Sequence, residues 1–246
     1  MSGKIKIGIV GTGRMGALHL SKFKNMPDVD FIGIYDPNVQ QAEVLAKTQG
    51  IKTFTTVQEL VFLVDGLVVA SPTPTHFSIA KFALNSGCHV LVEKPLCETF
   101  EEAMELDRLA FEKGLVCQVG FLERYRLNCL MSGTPISSVN RLESQRLSTV
   151  VGREPSVDVI SDLMVHDIDL VLSLIKEDPI NIYGEGYSVV TNYLDFAQAR
   201  LEFPGGSVAT LTASRVAPQM IRSLKAFGHR YFYEFDFVSN KKHSPH

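Results

Sequence analysis

The chain has 246 residues, 45% hydrophobic and 21% charged, which suffices for one large domain or two smaller ones with cores of their own. A formal charge of −3 without a basic run gives no electrostatic case for nucleic-acid binding. The longest apolar runs, Leu60–Val64 and Leu67–Ala70, are too short to span a bilayer, and the opening Met1-Ser2-Gly3-Lys4 lacks a signal-peptide core. No nucleic-acid or membrane partner and a cytoplasmic location are therefore expected.

In chain order, strands are predicted at Lys4–Val10, Asp30–Tyr35, Lys52–Phe54, Gly66–Ala70, His89–Glu93 and Leu115–Phe121. Helices are predicted between them at Arg14–Asn25, Val39–Thr48, Val57–Leu63, Thr75–Asn85 and Phe100–Lys113. Such alternation builds a parallel sheet with helices on both faces, and strands such as Gly66–Ala70 are apolar throughout as that burial requires. After Phe121 the pattern changes. One helix is predicted at Asp158–Ile175, followed by strands near Asn181–Val190, Phe196–Phe203, Ser207–Ser214, Arg222–Phe227 and Tyr231–Phe237. Pro204-Gly205-Gly206 reads as a hairpin turn, and Arg141–Ser148 alternates as a further strand. The expected organisation is an α/β domain at residues 1–121 and an α+β domain at residues 122–246 with a large open, mainly antiparallel sheet.

The first strand runs directly into Gly11-Thr12-Gly13-Arg14-Met15-Gly16, a G-x-G-x-x-G turn that opens a helix, and Asp36 ends the second strand. In a dinucleotide site the first glycine permits the tight turn, the second lets backbone approach the pyrophosphate, and the third lets helix and strand pack closely. Gly11, Thr12, Gly13, Arg14 and Met15 are thus expected to contact the cofactor, with the helix N-terminus facing its phosphates. The Asp36 carboxylate suits two ribose hydroxyls and repels a 2′-phosphate, so NAD is expected over NADP.

Three further constellations carry candidate chemistry. Ser71-Pro72-Thr73-Pro74-Thr75-His76 follows the fourth strand, at the sheet edge where ligands bind in such folds. It reads either as a cofactor-contacting loop or as a rigid turn with Thr75 as helix N-cap. Glu93-Lys94-Pro95 ends the fifth strand at the same edge, where the Lys94 cation could steady a developing alkoxide; a surface lysine is the alternative. Asp162, His166, Asp169 and Ser173 form a narrow polar arc on an otherwise apolar helix. There Asp162 could orient His166 as a general base, or the arc could be a hydrogen-bonded polar seam. Asp167 falls among apolar positions without an evident role. Arg124 and Arg126 could bind an anionic part of a substrate or pair with carboxylates. The four cysteines, Cys88, Cys97, Cys117 and Cys129, form no C-x-x-C, and no histidine stands at a zinc-like offset. Reduced, mostly buried thiols and no metal are expected, with Asn240–His246 read as a frayed polar tail.

Together the motifs G-T-G-R-M-G, S-P-T-x-x-H, E-K-P and D-x-x-x-H-x-x-D, spread from Lys4 to Phe237, resemble the glucose–fructose oxidoreductase/inositol dehydrogenase (Gfo/Idh/MocA) family. The resemblance implies a Rossmann domain, an open-sheet second domain that joins copies into a homo-oligomer, and NAD-dependent hydride transfer from a secondary hydroxyl of a sugar or nucleotide sugar. It implies that Lys94, Asp162 and His166 are catalytic, and that Gly11, Gly13, Asp36, Ser71, His76 and Glu93 contact the cofactor; Thr73 and Lys94 are expected to contact it beside them. Asp162 and His166 are accordingly expected to meet the substrate, with Arg124 a candidate contact on the strength of its own charge. Gly120–Tyr125 and Asp162–Leu170 are most similar to the branch that oxidises UDP-N-acetylglucosamine at its 3-hydroxyl, although Phe121, Tyr125 and Arg126-Leu127 depart from the His, Phe and Asn-Pro of that branch. The family pattern continues past Phe237 with a further helix and strand, so a shortened second domain is expected. The alternative is a non-catalytic NAD(H)-binding sensor or partner subunit on the same fold.

Overall fold

The computed structural model describes residues 3–132, 139–149 and 157–244. The chain divides into two compact units, Met1–Gly120 and Phe121–His246.

In the first unit, five strands form an all-parallel sheet of order β2-β1-β3-β4-β5. They are β1 (Ile5–Val10), β2 (Val29–Tyr35), β3 (Gly66–Val69), β4 (His89–Val92) and β5 (Cys117–Val119). The connecting helices are α1 (Arg14–Phe23), α2 (Val39–Gln49), α3 (Val57–Val61), α4 (His76–Asn85) and α5 (Phe100–Lys113). The sheet is covered on both faces. Ile9, Leu20, Ile34, Ala42, Ala46 and Val68 make one core, and Val10, Leu67, Val69, Leu84, Val92 and Leu106 belong to the other. Such double burial is why these strands read as unbroken apolar runs. The chain order reverses between β1 and β3, which places the crevice of an open α/β sheet at their carboxyl ends.

Lys52–Phe54 is not a full strand. It pairs with β2 through a single bridge, Ile34 to Thr53. At Gly33 a Cβ would come within 2.5 Å of the Lys52 carbonyl oxygen, so the segment lies close against β2 there.

The second unit holds a seven-stranded sheet of order β12-β11-β10-β6-β9-β8-β7. Its strands are β6 (Arg141–Leu147), β7 (Asn181–Tyr187), β8 (Phe196–Glu202), β9 (Val208–Ser214), β10 (Ile221–Gly228), β11 (Tyr231–Asp236) and β12 (Lys241–His243). Only the β6–β9 pair is parallel; the other five are antiparallel. One face packs Leu142, Ala197, Leu201, Ala209, Leu211, Leu224 and Phe235 into a core shared with Leu170 and Val171.

Three features of this unit differ from the sequence expectation. First, a helix α6 (Leu122–Leu130) occupies a stretch given no element. Only Glu123 and Leu127 of the helix are buried, so no apolar stripe marks it in sequence. Second, Asp158–Ile175 is not one regular helix. A π turn at Ile160–Met164 precedes α7 (Val165–Ile175), so the regular spacing that aligned the polar arc does not hold through Asp162. Third, the expected frayed tail contributes β12, with Lys241, Lys242 and His243 paired to β11. His246 lies outside the described residues.

Candidate functional site

The first unit gathers its candidate residues at the carboxyl edge of the sheet. Gly11 follows β1 with φ +94°, and a Cβ there would come within 2.5 Å of the Ala70 backbone at the end of β3. A Cβ on Gly16 would lie 1.9 Å from the Gly11 carbonyl oxygen, so α1 reaches β1 only with glycine at that position. Gly13 is different, since a Cβ would meet nothing within 4 Å. It is the N-cap of α1, without a capping side chain and without an acidic residue in the first turn. In contrast, α2, α3 and α5 begin on Asn38, Thr56 and Thr99, whose side chains accept helix N–H groups. The α1 start therefore keeps its donors and its positive end available beside open space, the requirement for a pyrophosphate. Thr12, Arg14 and Met15 complete this turn.

Asp36 is fixed beside it. Its Oδ2 accepts the Thr12 N–H at 2.7 Å and the Thr12 hydroxyl at 2.8 Å, and its Oδ1 accepts the Asn38 N–H at 2.8 Å. The carboxylate is thus oriented next to the phosphate turn and retains lone pairs for hydroxyl donors. By glycine geometry, helix end and carboxylate placement, the residues present fit a dinucleotide.

The Ser71 loop and the β4 end are joined to the same edge. Thr75 stands at the N-cap of α4, but its side chain makes no capping bond there. Its hydroxyl donates to the Pro72 carbonyl at 2.7 Å within a 3₁₀ turn, Thr73–Thr75, and pairs with the Ser71 hydroxyl. His76 is only 1% exposed and serves as a structural bridge. Its Nε2 is 2.7 Å from the Ser71 carbonyl oxygen and its Nδ1 is 2.9 Å from that of Pro95. The Glu93 side chain is also engaged, with Oε1 2.7 Å from His19 Nε2 on α1. Lys94 follows directly, and its peptide bond to Pro95 is cis.

In the second unit, His166 lies in the first turn of α7, just past the π turn that bears Asp162. The Phe121 ring meets the His166 imidazole edge-on, with centroids 6.3 Å apart. The polar arc divides at this point. Asp169 belongs to an ion pair, accepting from Arg124 Nε at 2.7 Å and from Arg124 Nη2. That bond holds the Arg124 guanidinium above its ordinary value. Of the two readings for Arg124, the structure displays the carboxylate pair. Ser173 turns back onto the Leu170 carbonyl. Arg126 pairs with Glu123 at 3.1 Å and donates to the Phe237 carbonyl and to Asn240.

Asp167, without an evident role in sequence, is the acidic half of a buried pair. It is 2% exposed and accepts two bonds of 3.0 Å from Arg146, a residue of β6. Burial pushes its carboxyl up, while the Arg146 guanidinium and the Ser144 hydroxyl pull the other way. Sequence reasoning missed Arg146; the available signal was an arginine at an inward position of an alternating strand.

All four cysteines are free, although only Cys88 is fully buried. Burial pushes the Cys88 thiol up to about 12 and that of Cys97 up to about 11, away from thiolate chemistry. Among the described residues no cluster of three or more His, Cys, Asp or Glu could hold a metal ion, and no helix is long and apolar enough to cross a membrane.

Residues 5–121 match the profile of an oxidoreductase family with an NAD-binding Rossmann fold, and residues 138–231 match the GFO/IDH/MocA C-terminal domain. The chain is 33% identical to UDP-N-acetylglucosamine 3-dehydrogenase of Acidithiobacillus ferrooxidans, over 98% of this chain and 77% of that protein. A solved structure of that enzyme superposes with a TM-score of 0.93 at 32% identity, over 99% of this chain and 80% of that one. Glucose-6-phosphate 3-dehydrogenase of Bacillus subtilis is 31% identical over 70% of this chain and 54% of its own length.

Proposed function

The chain belongs to the Gfo/Idh/MocA family of NAD-binding oxidoreductases, and from that premise we propose that it oxidises a secondary hydroxyl of a nucleotide sugar, UDP-N-acetylglucosamine at C3, with NAD as the acceptor. The observation that carries the cofactor half is the uncapped α1 start at Gly13 with Asp36 fixed beside it. The substrate half is supported by the likeness to the Acidithiobacillus enzyme.

Bound at this turn, NAD supplies the hydride acceptor. The protein's own residues manage the proton and the charge. His166 takes the proton of the substrate hydroxyl on a ring nitrogen. The Lys94 ammonium steadies the oxygen as negative charge develops on it. Asp162 orients the imidazole. Arg124 is assigned to the substrate as well, shared with Asp169, so that an anionic group competes with a carboxylate for the guanidinium. Ser71, Thr73, His76 and Glu93 complete the cofactor side, with His76 and Glu93 acting through the contacts described above.

Asp36→Ser should raise the KM for NAD about tenfold to a hundredfold, the worth of hydrogen bonds to a charged group, and should narrow the preference for NAD over NADP. Steady-state kinetics with both cofactors checks this. An unchanged ratio would remove Asp36 from cofactor selection.

The open face of the second sheet supports association between copies of the chain. Gln198, Arg200 and Thr210 alternate with the inward Ala199, Leu201 and Ala209, and Tyr183 and Tyr187 stand exposed on the edge strand. Sedimentation of wild type against an Arg200→Glu/Thr210→Glu variant tests that contact.

The direct test of function is incubation with NAD and a panel of sugars and UDP-sugars, following nicotinamide absorbance. Reduction with UDP-N-acetylglucosamine and not with the free sugars is the expected result. Reduction with another sugar reassigns the substrate. NAD binding without turnover on any of them points instead to the sensor.

A further inference from the structure

Two histidines outside the proposed catalytic set grip the residues on either side of Lys94. On one side, the Glu93 N–H bonds the Val69 carbonyl of β3 at 2.9 Å, and the Glu93 carboxylate lies 2.7 Å from His19 Nε2. The two side chains are 10% and 11% exposed, so little water reaches the contact. The space around the carboxylate is closed as well. A Cβ on Gly120 would lie 3.0–3.2 Å from its atoms, so a larger residue there would crowd it. On the other side, the Pro95 carbonyl is 2.9 Å from His76 Nδ1, and the opposite ring nitrogen is 2.7 Å from the Ser71 carbonyl. His19 also stands on α1, the helix whose first turn forms the phosphate cradle. The same pair therefore ties that cradle to the strand end that carries Lys94.

We propose that His19 and His76 are positioning residues for Lys94, His19 by holding Glu93 to the cofactor helix and His76 by filling the space between the Pro95 and Ser71 carbonyls with a ring that donates to one of them. The proposal rests on the reading of Lys94 as a catalytic residue and adds to it how the ammonium is kept in place. Neither histidine need touch the substrate. Loss of either contact frees one flank of Lys94, and a misplacement of about 1 Å at a reacting group costs on the order of a hundredfold in rate.

The test uses His19→Leu, which removes the donor, and His19→Gln, which keeps an N–H near the same place. Hydrogen exchange at residues 93–97 of the cofactor-free protein should rise at least about tenfold in His19→Leu and return toward wild type in His19→Gln. With NAD and UDP-N-acetylglucosamine, kcat should fall about tenfold to a hundredfold in His19→Leu with the Kd for NAD changed far less. His76→Leu should give the same exchange signature from the other flank. Because His76 is buried, the His19 pair decides the matter if His76→Leu does not fold.

Unchanged exchange at 93–97 in His19→Leu overturns the proposal whatever the substrate proves to be. So does a change confined to melting temperature, or one that His19→Gln fails to rescue. Full activity of Lys94→Ala, by contrast, defeats the catalytic reading while leaving the exchange result standing, so the two failures are distinguishable.

Discussion

Alanine at Lys94 or at His166 is expected to lower turnover about 10²- to 10⁴-fold, the contribution of a positioned acid–base or charge-stabilising group, while the Kd for NAD stays within about threefold. The separation of effects follows from placement. The phosphate cradle and Asp36 lie on β1, α1 and the end of β2, elements that carry neither substituted residue. Lys94 follows Glu93 at the end of β4, and His166 lies on α7 in the other unit. Steady-state kinetics and fluorescence titration with NAD provide both readouts. The double variant should lose less than the product of the single losses, because the proposed mechanism has both groups act on one hydroxyl oxygen. Full turnover in both single variants would rule out these roles.

The second large effect concerns stability. Arg146→Met should cost about 3–5 kcal/mol, because it strands the Asp167 carboxylate beneath the sheet without its partner. Both side chains are nearly inaccessible, at 4% and 3% exposure, and Glu123 lies 3.9 Å from the same guanidinium, so one substitution unbalances two buried acids. The Arg146→Met/Asp167→Leu pair should recover most of the loss, since matched apolar replacement of a buried ion pair is often neutral. The deficit of the single variant should also depend on pH. Burial already pushes the Asp167 carboxyl above its unfolded value, and loss of the arginine removes the main opposing pull. The folded variant then holds the proton more tightly than the unfolded chain does. Its stability should improve as pH is lowered from about 8 toward about 5, and worsen as pH rises through the folded pKa. Melting curves across that range check both claims. A single variant as stable as wild type would show that the pair contributes little.

Much of the candidate site was legible in the linear sequence because its demands are local. Gly11 needs a positive φ and Gly16 needs to approach β1 closely, and only glycine meets either demand. The apolar runs at Gly66–Val69 and Ile5–Val10 announce strands covered on both faces. Other features have no local signature. Helix α6 packs few of its side chains inward, so its sequence looks like a loop. The π turn before α7 shifts Asp162 off the regular helical spacing, which a fixed angle per residue could not foresee.

Partnership is what the sequence left open. Asp169 and Arg124 are 45 residues apart, and Asp167 and Arg146 are 21 apart. In sequence nothing tied any of these charges to its partner. The same holds for His76, whose two ring contacts lie on separate loops, and for Glu93, whose imidazole partner is 74 residues away on α1. The sequence by itself determined the class of fold, the dinucleotide turn and the residue types available for acid–base work, because backbone sterics and hydrophobic period act over a few residues. Only the tertiary structure decided which of those charged groups hold one another, because an ion pair or a hydrogen bond depends on distances that chain order does not encode.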